Sequence, residues 1–151
     1  MNKITWRTLV ILLLATLCLA LPASAAPAAD FCPNNLKIDY RVNPLGLEAH
    51  HLHFSWQLNF GDQAAWQVQA ASTPEQLADG KAGLWDSDKR AGSATTQIAY
   101  EGAPLTSRQR VWWRVRVWDK LGSESVWSPP AYFEMGLLQP TDWQKDRKSV
   151  V

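Results

Sequence analysis

The 151-residue chain predicts an all-β fold, an antiparallel sandwich of about seven strands. Three features lead there. Val111–Asp119 alternates strictly, with Val111, Trp113, Val115 and Val117 on one side of an extended strand and Trp112, Arg114, Arg116 and Trp118 on the other. Large side chains on both sides mark a strand central to its sheet and covered on both faces. Short extended segments recur between Gly, Pro, Asn and Asp turns, and no long amphipathic helix interrupts them.

Residues 1–25 read as an export signal rather than as part of the fold. Lys3 and Arg7 form a positive start, Leu9–Leu21 is an apolar run short for a membrane span, and Ala23-Ser24-Ala25 offers a small-residue cleavage site. Leu17 is bulky where a lipoprotein signal wants a small residue before Cys18. The product is therefore expected to be exported, periplasmic or secreted, and free of the membrane after cleavage. Two basic residues leave with the signal, so 15 become 13 against 14 acidic ones, and the net charge moves from +1 to −1. No excess of positive charge remains to attract a polyphosphate chain, which argues against a nucleic-acid partner. Cys32 remains as the single cysteine and reads as a tolerated free thiol, so the core must hold the fold without an internal disulfide.

Residues 26–35 are Ala- and Pro-rich and read as a disordered leader, with the sandwich spanning 36–138 and a polar tail 139–151. Leu36–Val42 is the first expected strand, stopped at Asn43-Pro44-Leu45-Gly46. In Leu52–Leu58, Leu52, Phe54, Trp56 and Leu58 share a face. Gly61-Asp62 turns into Ala64–Ala71, where Trp66, Val68 and Ala70 point one way and Gln67 and Gln69 the other. Ser72–Gly80 opens on Ser-Thr-Pro-Glu, a helix-cap sequence that suits one helical turn. Leu84–Ser87 and Thr95–Tyr100 are short strands linked by Asp88–Gly92. The loop Gly102–Leu105 leads into Arg110–Asp119. A turn at Asp119–Ser123 follows, Trp127–Pro130 enters a further extended segment, and Ala131–Met135 is the last strand.

Eight of the nine tryptophans lie beyond residue 25. Each can bury roughly 150–250 Å², more than one narrow core holds for all eight. Trp56, Trp66 and Trp113 have the phase for the interior. Trp112, Trp118 and Trp127 fall outside with Arg114 and Arg116, either as a cation–π ladder or as a platform for a sugar ring or a neighbouring domain.

The chain carries no Gly-rich phosphate loop, Gly-x-Ser-x-Gly elbow or Cys-x-x-Cys. His50, His51 and His53 cluster without cysteine and read as a polar edge, not a metal site. Asp86 and Asp88 lack the further oxygens of a calcium loop and suit an Asx turn. A glycosidase needs two carboxylates roughly 5–9.5 Å apart beneath a cleft, and no such cleft is evident. No catalytic residue, cofactor or metal ligand is therefore assigned.

An ordered series of motifs remains: Asn43-Pro44-Leu45-Gly46-Leu47, Phe54-Ser55-Trp56, Leu84-Trp85-Asp86-Ser87, Tyr100–Leu105, Trp113–Asp119, Gly122, Trp127-Ser128, Phe133–Leu138 and Asp142-Trp143. This series resembles the N-terminal fibronectin type III-like (immunoglobulin-like) module of bacterial α-L-rhamnosidases, across residues 36–143. Leu52-His53 stands where that family often has Pro-Arg, and Asp88 where it has glycine. Val111 stands where an aromatic commonly opens the long strand, without the phenol a tyrosine corner uses. In the family, further β-domains and an α-helical barrel with the catalytic acid and base follow Asp-Trp. Here eight residues follow Trp143. The resemblance thus implies a non-catalytic accessory module whose partner is a glycosidase catalytic domain. Trp112, Arg114, Arg116, Trp118, Trp127 and Trp143 form its candidate contact surface. The alternatives are a carbohydrate-binding module that lays these indoles on a plant or bacterial glycan, and a truncated enzyme remnant.

Overall fold

The computed structural model describes residues 31–48, 51–59 and 61–143. The export signal, the first part of the leader, His50 and the end of the polar tail lie outside the described residues. Among the described residues eight strands form: β1 (Pro33–Ile38), β2 (His53–Leu58), β3 (Gln63–Ala71), β4 (Trp85–Asp86), β5 (Arg90–Ala91), β6 (Ile98–Ala99), β7 (Arg110–Asp119) and β8 (Ala131–Glu134). One helical turn, α1 (Pro74–Ala78), is capped by Thr73, whose hydroxyl accepts from the Gln76 N–H.

The pairings between these strands are all antiparallel. One sheet has the order β1-β2-β6. The other runs β4-β3-β7-β8, with β5 also on β3. The long pair β3–β7 sets the register, matching Gln67 with Arg116 and Gln69 with Arg114. A bulge between Gln63 and Ala65 brings Trp118 opposite Ala65.

The inward phase of the long strands fills the space between the sheets. Val68, Val111, Trp113, Val115, Val117, Phe54 and Phe133 are all fully buried. Phe54 is the hub, with ring centroids 4.6 Å from Trp113, 5.4 Å from Trp85 and 6.1 Å from Phe133. Trp56 and Trp66 meet at 6.0 Å further along. Trp56 Nε1 donates to Gln63 Oε1 at 3.0 Å, and Gln63 passes its own amide protons to the carbonyls of Gly92 and Ala94. An indole N–H is thereby satisfied in the interior, as burial demands.

Several boundaries differ from expectation. The first strand opens at Pro33, not Leu36, and Phe31 is buried in the core cluster. Proline is tolerated there because it is the first residue of an edge strand. Asp88–Gly92, read as a link, contributes β5 because Arg90 and Ala91 find free positions on β3 beyond β4. Gln139, the first residue of the expected polar tail, caps a 3₁₀ turn, Pro140–Asp142. Ser107 ties that turn down: its hydroxyl donates to Asp142 and accepts from the Leu138 N–H at 2.8 Å. Val111 supplies no phenol, yet Tyr100 does, its hydroxyl donating to the Ala103 carbonyl at 2.8 Å and bracing the crossing loop. Burial pushes the Tyr100 phenol up to about 12.

Candidate functional site

The outward face of β3 and β7 carries a layered polar–aromatic network. It starts at Asp86 on β4. Asp86 accepts from the Gln67 amide at 2.7 Å and the Gln69 amide at 2.8 Å, one on each carboxylate oxygen. The two glutamines pass the polarity on: Gln67 Oε1 accepts from Arg116 Nε, and Gln69 Oε1 from Arg114 Nε and Nη2. Both guanidiniums then lie against one indole, with Cζ of Arg114 4.2 Å and Cζ of Arg116 4.6 Å from the Trp127 ring centroid. Arg116 also reaches the Trp118 ring at 4.9 Å and Glu124 at 3.4 Å. Lys89 from the β4–β5 loop lies 4.4 Å from the Trp118 centroid.

Electrostatics follow the geometry. Burial pushes the Asp86 carboxyl up. The amides of Gln67 and Gln69, the Asp88 N–H and the nearby Arg116 charge outweigh it and hold the pKa below the usual carboxylate range. The Asp88 N–H bond to Asp86 at 2.9 Å is an Asx turn. The carboxylate thus accepts three hydrogen bonds from protein donors. Burial, then the neighbouring Arg116 charge, lowers the Arg114 guanidinium, and Asp86 partly restores it.

Trp127 reaches this face through an edge device. Residues 124–128 run beside β7, but the pairing is carried by two serines. Ser125 N–H donates to the Val117 carbonyl while Ser125 Oγ accepts from the Val117 N–H at 3.0 Å. Ser128 repeats this on Val115, its Oγ accepting at 3.1 Å. The hydroxyls stand in for backbone carbonyls, so Val126 and Trp127 bow away from the edge and the indole folds over the arginines. The segment Trp127–Pro130 is accordingly not a strand, and Pro129-Pro130 leaves its edge without donors.

The sequence-selected residues separate. Trp118, Arg116, Trp127 and Arg114 stack together. Trp112 does not join them: it packs on Tyr132 of β8, with centroids 5.0 Å apart. Trp118 is only 6% exposed because Lys89 and Arg116 cover it. Trp143 stands apart and is 65% exposed. Sequence reasoning misses Lys89, Gln67, Gln69, Asp86 and both serines. The outward phase of the glutamines is readable, but the register placing them opposite the arginines is not.

Elsewhere, His53 lies half-buried 3.5 Å from Asp39, and its ring stacks with His51 at 6.4 Å. Cys32 is part-buried, its Sγ 3.9 Å from the Trp127 carbonyl, and burial raises its pKa. Among the described residues, no three His, Cys, Asp or Glu side chains are grouped to hold a metal ion.

Two grooves open at the end of the sandwich where β7 begins. One, of about 370 Å³, lies between His51, Tyr100, Pro104 and Leu105. The other, of about 310 Å³, lies between Leu105, Ser107, Leu138 and Asp142. Leu105 is the ridge they share.

Two antiparallel sheets closed over an aromatic core, with a cation–aromatic outer layer, define an immunoglobulin-like β-sandwich. The comparisons with known proteins narrow that class. The model for the Rha78A-like, N-terminal immunoglobulin domain matches residues 33–139, and the chain belongs to that family. It is 42% identical over 118 residues to an α-L-rhamnosidase of Alteromonas sp. (strain LOR), covering 74% of this chain and 13% of that protein. With an α-L-rhamnosidase of Formosa agariphila it shares 34% over 137 residues, 88% of this chain and 14% of the relative. The crystal structure of Streptomyces avermitilis α-L-rhamnosidase complexed with L-rhamnose superposes with a TM-score of 0.70 at 35% identity, covering 75% of this chain and 11% of that one. The chain therefore spans about an eighth of these relatives' lengths, and what matches is their N-terminal immunoglobulin-like domain, not their catalytic region.

Proposed function

We propose that this chain is an exported, non-catalytic accessory module that supports and docks to the catalytic region of an α-L-rhamnosidase. The observation behind this reading is the match of residues 33–139 to the N-terminal immunoglobulin-like domain alone. Export, to the periplasm or beyond, rests on the signal read in residues 1–25. Of the contact residues selected from the sequence, Trp112, Arg114, Arg116, Trp118, Trp127 and Trp143, the last is the one that is largely exposed. A sugar platform draws little support from the geometry, since cations already lie over Trp118 and Trp127. The network suits a rigid scaffold better: it fastens β4, β3 and β7 of one sheet to the segment that carries Trp127.

The test uses the intact chain and the Streptomyces avermitilis α-L-rhamnosidase with its own N-terminal module removed. Calorimetric titration is expected to show saturable binding, and the chain alone is expected to release no product from an aryl α-L-rhamnoside. Absence of binding overturns the docking role. Rhamnoside turnover that disappears on mutating a carboxylate of this chain overturns the non-catalytic one.

A further inference from the structure

We infer that the docking surface is the end of the sandwich around Leu105 and Trp143, not the cation–aromatic face, and that its occupant is the domain following the N-terminal module in α-L-rhamnosidases. This inference rests on the docking role proposed above and narrows it to one surface and one partner.

Three observations converge on that end. First, exposed large apolar side chains lie in two segments that the backbone ties together next to that end. Of the six in the described residues, Tyr40, Val42 and Leu45 lie in the loop after β1, and Trp143 lies at the end of the 3₁₀ turn. Backbone bonds from Leu47 to Glu134 and from Gly136 to Leu47 clamp this loop against the segment leading to Trp143. Isolated exposed apolar residues are ordinary, so Leu45, two residues from the clamp, and Trp143 count here through the grooves they border on rather than as a patch of their own.

Second, the surface is concave and mixed in the way contact surfaces are. Leu52, Ala99, Tyr100, Ala103, Pro104 and Leu105 give the first groove an apolar floor. His51 stands at its margin, and Thr106, Ser107, Gln139 and Asp142 supply polar groups to the second. An apolar centre with hydrogen-bonding margins is the composition of a protein–protein interface.

Third, chain direction selects the occupant. The matched family module is N-terminal in its parent proteins and ends at residue 139 of this chain, a residue that itself lines the second groove. The relatives' remaining length, more than four-fifths of each, therefore departs from this end. The domain it forms next is tethered within a few residues of the grooves and held there at high effective concentration. The cation–aromatic face has no such tether, and its rings already carry cations.

The experiment repeats the titration against the module-deleted Streptomyces avermitilis enzyme with three variants. Trp143→Ala removes a 65%-exposed ring and leaves the core intact. Leu105→Asp puts charge on the shared ridge, with thermal unfolding checking that it folds. Trp127→Ala reports on the other face. The expected result is at least about tenfold weaker binding for the first two, the scale of a central apolar anchor, and unchanged binding for Trp127→Ala. The reverse pattern overturns the choice of surface while leaving the docking role intact, whereas no binding by the intact chain removes both. Sedimentation in which the intact chain dimerises and Trp143→Ala stays monomeric assigns the end to a second copy and overturns the proposal. Saturable binding of a rhamnose-containing glycan, lost in Leu105→Asp, does the same.

Discussion

The guanidinium of Arg114 stacks on the indole of Trp127, 4.2 Å from its centroid, while its Nε and Nη2 are held in plane by Gln69 Oε1. The stack is fixed from both sides, so neither partner spends much rotamer entropy in forming it. Trp127→Ala removes two cation–π contacts, each worth ~0.5–1 kcal/mol when exposed and up to ~2 when desolvated. The expected loss is about 1–3 kcal/mol in urea denaturation. Arg114→Lys should recover little, because an ammonium lacks the planar fork that meets the glutamine and the ring together.

A second prediction concerns the serine clip. Ser128→Ala leaves the buried Val115 N–H without its acceptor, and an unsatisfied buried donor costs ~1–3 kcal/mol. Ser128→Thr keeps the oxygen and should stay closer to wild type. Equilibrium unfolding of the two variants separates loss of the hydroxyl from general disturbance of the edge.

Buried tryptophans provide a third. Trp56 and Trp113 are equally enclosed, at 2% and 0% exposure. Trp56 Nε1 donates to Gln63, while Trp113 Nε1 has no hydrogen-bond partner among the described protein atoms. Replacement by phenylalanine shrinks both rings equally. It orphans the Gln63 carbonyl in one case and removes an unmatched donor in the other. Trp56→Phe should therefore cost more than Trp113→Phe, by about 1–3 kcal/mol.

Much of this was legible beforehand, and the division has a physical cause. Strict alternation in Arg110–Asp119 set its boundaries and its two environments, because period-two patterning is local. Thr73-Pro74-Glu75 announced α1 for the same reason. What escaped depends on register and on distant segments. Trp118 looked like an exposed ring until Lys89, from another loop, covered it. Trp112 looked like a rung of the ladder, but β8 brings Tyr132 closer. The two-residue strands β4, β5 and β6 are too short to carry a period, and they form because longer neighbours offer free hydrogen-bonding positions. The grooves flanking Leu105 gather residues from three separate loops, so no window of sequence contains them.

Acid should loosen the network through Asp86. Its carboxyl lies below the usual range in the folded protein, so between the folded pKa and the unfolded value of about 3.9 the unfolded chain binds more protons. Stability therefore rises with pH across that window, is fully present above it, and is lost as pH falls through the folded value. Asp86→Asn removes this contribution and flattens the acid limb below about pH 4. Thermal unfolding between neutral and acidic pH, compared for the two proteins, checks the sign.

The most direct measurement is made on a chimera: the Streptomyces avermitilis α-L-rhamnosidase with residues 31–143 of this chain in place of its own N-terminal module. A module that docks and supports its neighbour raises that enzyme's melting temperature above the module-deleted form. A gain of at least about 3 °C is predicted, the shift that ~1 kcal/mol produces in a domain of 150–250 residues. Introducing Trp143→Ala into the chimera should erase most of that gain. A chimera that melts with the module-deleted enzyme contradicts the account.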